Sequence, residues 1–451
     1  MLMLAALSLP LFAVLLAGLA LGAVVNWAVY RLAWHRREIS PWGPTPTAAR
    51  RRRFADRIPV VGWWGLRREH ALHGRGFWLR PLGVELMMGV GLAALYWWEV
   101  DRLGLVLPQV KEQLQLVLGG PVALAANVIP VGLAQATFLN HALLISLMAA
   151  ASFIDIDEKI IPDEITLPGT LLGLLLAALL PLSLLPQVAL RDAPPSVGER
   201  VLLPPAAAGV SMFVEPTTLA APNPWPAALG GAPRWRSLAL GQACWWLWCF
   251  ALTPRIWRGR HGFCRALAIV LRRVLRELAR PPLGVIALVG SLTMVGLWWR
   301  GGAAWIGLLT ALVGMAVSGA MVWIVRLVGT AALRREAMGF GDVTLMMMIG
   351  AFLGWQAGVL IFFVAPLAGL VVGVLQLLLR RGDVIPYGPF LCLAALVVLV
   401  RWTDFWTPNL QNVFRVGWLV PIVLLVGFGL LGLMLAVWQQ IKLALFGRGA
   451  R

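Results

Sequence analysis

The sequence predicts an all-α fold, a polytopic transmembrane helical bundle of about eleven spans. Three observations lead there. The 451 residues are 60% hydrophobic and only 13% charged, with a mean hydropathy of +0.82, which leaves too little polar surface for a soluble protein of this size. Apolar runs long enough to cross a bilayer recur along the whole chain. The positive charge is clustered: residues 31–80 hold twelve Arg against three acids, and 254–281 hold eight Arg against one acid. These two segments carry sixteen of the eighteen net charges, the pattern of cytoplasmic loops under the positive-inside rule. A nucleic-acid partner is not expected, because the charge is not spread over one soluble face.

In order, the expected spans lie near 5–29, 82–99, 131–153, 165–185, 237–253, 282–299, 304–329, 343–355, 357–379, 387–402 and 416–440. The eighth is short and is expected to tilt or pack against the ninth. The 23 Trp residues suit membrane–water interfaces. No basic residue precedes Arg31, which argues for a retained first span rather than a cleaved signal peptide. Segment 186–236, rich in Pro, Ala and Gly, reads as an external loop with little secondary structure. Segment 263–280 repeats apolar residues at helical spacing with Arg between them; it reads as a basic amphipathic helix on the inner leaflet or as an ordinary positive-inside loop. Cys244, Cys249, Cys264 and Cys392 show no metal-ligand spacing and read as small hydrophobes.

Parity tests the orientation. If 31–80 is cytoplasmic and each span reverses sides, then 254–281, Arg334–Arg335, Arg380–Arg381 and the C-terminal tail are cytoplasmic too. The weakly charged loops 100–130, 186–236 and 403–415 fall outside, as does the N-terminus. The chain divides into an N-terminal region with its basic loop (1–100), spans carrying a first acidic cluster (101–185), an insertion with two extra spans (186–300), and a C-terminal region with a second acidic cluster (301–451).

Ionisable groups within or beside spans are costly and therefore functional candidates. The first cluster, Asp155, Asp157, Glu158, Pro162, Asp163 and Glu164, follows the third span. The second, Gly339-Phe-Gly341-Asp342, opens the eighth. Four spans separate them, an even number, so both face the cytoplasm. Peptide hydrolysis without a metal or nucleophile needs two carboxyl groups, one ionised to draw a proton from water and one protonated to polarise the scissile carbonyl. At close range the two share a single proton. Gly339 and Gly341 lack Cβ atoms and permit a sharp turn or the close approach of a substrate strand. Asp157, Glu158, Asp163 and Glu164 also fit a plainer role, solvating the loop or pairing with nearby Arg.

FIDIDEKIIPDEITLPG (153–169) and GFGDVTLMMMIGAFLGW (339–355) resemble the two active-site segments of the prepilin peptidases, membrane aspartyl proteases with a Gly-x-Gly-Asp motif. VIPYGPFLCLAAL (384–396) is similar to the family's last cytoplasmic loop and following span. VVNWAVYRL (24–32), DRIPVVGWWGLRREHALHG (56–74) and RPLGVEL (80–86) resemble its N-terminal region. The resemblance implies that Asp155 and Asp342 form the catalytic dyad, with Gly339, Gly341, Asp157, Pro162 and Asp163 in support. It implies removal of the basic leader of prepilins or pseudopilins of type IV pili and type II secretion, at the inner face of the bacterial cytoplasmic membrane. Glu158 and Glu164, with Asp157 and Asp163, would attract that basic leader. Proteolysis of this kind needs no cofactor. Family members often also methylate the new N-terminus with S-adenosylmethionine. The competing expectations are a non-enzymatic assembly protein of a pilus or secretion system, another Gly-x-Gly-Asp intramembrane protease, and a transporter, which acids at span ends disfavour.

The departures from the family are specific. Its two Cys-x-x-Cys pairs are missing: SPWGPTP (40–46) stands at the first and His70-x-x-His73 at the second. Two imidazoles are half a tetrahedral site, so zinc is not expected. His141 reads as a packed helix residue. Thr344 stands where the family has Lys.

Overall fold

The computed structural model describes residues 2–35, 52–106, 131–192, 212–218, 234–253, 283–333, 338–378, 386–406, 408–415 and 419–446, with a few single positions between them. Among the described residues, a helix stands at each expected span: α1 Leu2–Leu32, α2 Leu79–Tyr96, α3 Val131–Glu158, α4 Asp163–Leu179, α5 Trp235–Leu252, α6 Leu283–Arg300, α7 Gly302–Leu333, α8 Phe340–Leu353, α9 Trp355–Leu378, α10 Gly388–Val400 and α11 Leu419–Phe446. Among the described residues, seven helices are long and apolar enough to cross a membrane: α1, α2 with its following turn, α3, α6, α7, α9 and α11. α8 and α10 are shorter apolar helices of 14 and 13 residues.

The apolar pattern explains the placement of α8. It is apolar all round, so no face suits water, and every residue from Asp342 to Leu353 is buried. It packs against the ninth span, as expected, but its main packing surfaces are α7 and α4, with α10 and α3 completing the enclosure. Gly314 of α7 and Gly350 of α8 meet back to back, each where a Cβ would strike the other's carbonyl oxygen. Small residues at such a crossing let two backbones approach without lipid between them.

Residues 186–192 and 212–218 depart from the expected loop. They form a short antiparallel ladder, Pro186 opposite Thr218 through Asp192 opposite Met212. Its residues, VALRD and MFVEPTT, include enough β-branched positions to pair despite the Pro-rich setting. The ladder lies outside the helical bundle's sequence, so the bundle itself remains all-α. Segment 263–280 lies almost entirely outside the described residues.

The N-terminal loop is tied to α1 and α2 by a buried acid. Glu85 of α2 is 1% exposed and accepts from the Val60 amide, from the Trp63 indole at 2.8 Å and from the Asn26 amide at 3.3 Å. Arg52 pairs with Glu69 at 3.0 Å and Arg68 pairs with Asp56. His141 does pack within the bundle; its Nδ1 lies 2.7 Å from Glu99, and both side chains are buried.

Candidate active site

Asp155 sits in the last turn of α3. Lys159, at φ +57°, then turns the chain out of the helix, and its amide still donates to the Asp155 carbonyl at 2.8 Å. The loop returns through Ile161 to Pro162, which caps α4 in extended conformation and accepts from the amides of Ile165 and Thr166. Asp342 occupies the third position of α8, after Gly339 as N-cap. Its carboxylate accepts from the Gly339 amide, the reciprocal half of a capping box. An acid in the first turn of a helix also lies at the positive end of the helix dipole.

Ile161 packs between Gly341, the neighbour of Asp342, and Gly388, which lies against Asp155. A Cβ on Gly341 would come 2.9 Å from the Ile161 Cβ and 3.3 Å from its carbonyl oxygen. A Cβ on Gly388, at the start of α10, would overlap Oδ2 of Asp155 and lie 2.9 Å from Ile161 Cδ1. Gly341 and Gly388 thus let the loop after α3 wedge between the starts of α8 and α10. The two carboxyl groups interact electrostatically across this wedge, and both act on Cys392 of α10. Asp155 and Asp342 are 3% and 7% exposed. The Gly388 amide donates to Asp155, while Asp155 Oδ2 is buried without a hydrogen-bond partner among the described residues. Tyr387 lies within electrostatic reach of Asp342.

The other acids of the first cluster are placed differently. Asp157 takes both oxygens to Arg80 of α2, at 2.7 and 2.8 Å, and Arg80 also reaches the Phe153 carbonyl and lies over its ring. Glu158 accepts from the amides of Trp34 and His35 just after α1. Asp163 and Glu164 are exposed in the first turn of α4. Gly339 has ordinary extended geometry, and a Cβ there would meet nothing nearer than Asp342 Oδ2 at 3.7 Å. Thr344 is buried, accepts from the Thr166 hydroxyl at 3.2 Å and donates to the Gly341 carbonyl at 3.1 Å, so it stitches α4 to the first turn of α8.

Sequence reading assigned no role to Gly388 or Tyr387. The available signal was the YGPF string itself, a Gly-Pro pair at a helix start, whose meaning depends on the Asp155 carboxyl brought beside it.

Residues 142–191 and 283–374 match the model of the type IV leader peptidase family. Asp155 and Asp342 lie within these two matched segments. Among curated relatives, the prepilin leader peptidase/N-methyltransferase of Aeromonas salmonicida is 31% identical over 154 residues, 32% of this chain and 51% of the relative. The protein of the same name from Pseudomonas aeruginosa is 41% identical over 73 residues, 16% of this chain and 25% of the relative. That from Pseudomonas putida is 30% identical over 110 residues, 24% and 38%. The chain spans about half or less of the length of these relatives. No solved structure matches. The resemblance to the prepilin peptidases read from the two motifs is therefore borne out.

A zinc ion does not fit the histidines of the N-terminal loop. His73 lies 3.5 Å from Glu69, which is itself held by Arg52, and its ring packs on Phe77. No group of three or more His, Cys, Asp or Glu with metal-binding geometry occurs among the described residues.

Proposed function

We propose that the protein is an aspartic endopeptidase of the bacterial inner membrane that removes the basic leader of prepilins or pseudopilins at the cytoplasmic face. One observation carries this reading: two buried carboxyl groups stand at the end of α3 and the start of α8, on segments that pack together through Ile161. The pair shares one proton. The ionised carboxylate takes a proton from a water molecule as its oxygen adds to the scissile carbonyl carbon. The protonated carboxyl hydrogen-bonds the carbonyl oxygen as it gains charge. Collapse of the tetrahedral species breaks the C–N bond, and the leaving amine receives the proton. Gly388 holds Asp155 in place, and Gly339 holds Asp342. The exposed Asp163 and Glu164 supply negative charge beside the site for a basic leader.

The relatives' names include N-methylation, which would use S-adenosylmethionine. A pocket of about 610 Å³ in the basic loop is lined by Trp64, Trp78, Arg67, Arg68, His70 and Arg75. Its three guanidinium groups suit an anion such as a carboxylate. N-methylation of the new N-terminus is a second reading, carried by the relatives' names.

The test is cleavage of a prepilin in detergent by wild type, Asp155→Asn and Asp342→Asn. Each variant should lose about a hundredfold or more in rate. Equal cleavage by all three refutes the dyad. Absence of cleavage by wild type, with retained binding of pilus or secretion proteins, would favour an assembly role.

A further inference from the structure

Beside the dyad the bundle is not closed. α3 forms the floor of a groove whose walls are α2 and α10, and the groove encloses about 560 Å³, within the range of ligand-binding cavities. Its lining is almost wholly apolar. Ser152 and Phe153 of α3 are within one turn of Asp155, and Pro389 follows Gly388, the residue whose amide binds Asp155. One end of the groove therefore lies next to Asp155. On α2 it runs from Met87 to Trp98, and on α10 from Pro389 to Val400, each a length of about 16 Å along a helix. It is also open sideways: Met87 and Leu393 on its walls are 52% and 44% exposed.

We infer that this groove receives the apolar helix that follows the scissile bond in the substrate. The inference rests on the protease reading and adds where the membrane part of the substrate lies. A peptide cut at the membrane face continues into the bilayer, so the acids need an apolar berth reachable from lipid. This groove offers one, continuous with Asp155 and about ten helical residues long. Met87, Met88 and Met148 line it, and methionine adapts to apolar surfaces of varied shape. Small residues, Gly91 on one wall and Ala149 on the floor, keep it deep.

Filling the groove tests the assignment. A Cβ at Gly91 meets nothing within 4 Å, so Gly91→Phe projects into open space without disturbing the fold. Gly91→Phe and Ala149→Leu should each raise KM for a full-length prepilin about tenfold, the effect of losing one well-buried apolar side chain, while kcat stays near wild type. Gly296→Phe on α6, also with open space around it, is the lipid-facing control and should change neither. An unchanged KM in both groove variants, or a fall in kcat alone, overturns the inference. A second readout does not need cleavage. In an Asp342→Asn background, Met87→Cys should crosslink to a cysteine in the prepilin's apolar helix and not to one in its leader. Crosslinking to the leader alone, or to neither, also overturns it. Wild-type cleavage separates the two readings: if wild type cuts and the groove variants behave as wild type, the groove assignment fails while the protease reading stands.

Discussion

Gly388→Ala is the sharpest probe of the dyad. The added Cβ would overlap Asp155 Oδ2, and it would lie 2.9 Å from Ile161 Cδ1. Ile161 can yield there, because the contact is with the end of a flexible side chain. Asp155 cannot yield without leaving the Gly388 amide that binds it. Restoring van der Waals separation requires the carboxyl to retreat by about 1 Å. A displacement of that size between reacting groups costs on the order of a hundredfold in rate. The expected result is a kcat for prepilin cleavage about a hundredfold below wild type, with KM within about threefold because the groove is untouched. The general cost of overpacking is about 1–3 kcal/mol of stability, so a modest drop in detergent melting temperature should accompany it. The assay is steady-state cleavage followed by gel or mass spectrometry, alongside thermal unfolding of the same preparation. If Gly388→Ala cleaves within a factor of about three of wild type, Asp155 is not held as described and the positional argument fails.

The two glycines of Gly-x-Gly-Asp should respond differently. Gly341→Ala drives a Cβ to 2.9 Å from Ile161 Cβ and should cut activity by more than about tenfold, whereas Gly339→Ala makes only an ordinary contact and should remain active in the same cleavage assay. Asp157→Asn breaks a partly exposed pair with Arg80; prepilin cleavage should stay within about threefold of wild type, and a large loss would return Asp157 to the chemistry. Burial acts to raise the Asp56 carboxyl, but hydrogen bonds from Arg68 and the Arg53 amide outweigh it and hold the group below its usual range. A depressed folded-state value stabilises above the unfolded-state value of about 4 and is lost as pH falls through the folded one. Melting temperatures from pH 7 to pH 3 should therefore show wild type and Asp56→Asn converging at the acid end. Lys159 in the left-handed region costs about 1 kcal/mol, so Lys159→Gly should raise the melting temperature.

Much of the fold was legible because lipid imposes a simple rule. Each expected apolar run has its helix among the described residues, and the parity of the Arg-rich loops predicts one membrane face for Asp155 and Asp342. What escaped was pairing over distance. Nothing in the string FIDIDEK says that Asp157 is held by Arg80, 77 positions away, while Asp155 is left with an unpartnered oxygen. Gly341 was read as leaving room for a turn or a substrate strand; the space it leaves is filled by Ile161. Gly388 had no assigned role because its meaning lies in the carboxyl beside it. The ladder at 186–192 and 212–218 was hidden by the prolines and alanines between its strands.

The helices α5 and α6 pack chiefly on each other and on α7. Trp245 of α5 donates to the Ala287 carbonyl of α6, and Trp305 of α7 donates to Ser237 of α5. The acids, by contrast, are held by α3, α4, α8 and α10. Among the described residues, the α5–α6 pair therefore reaches the acids only through α7, which packs on α5, α6 and α8.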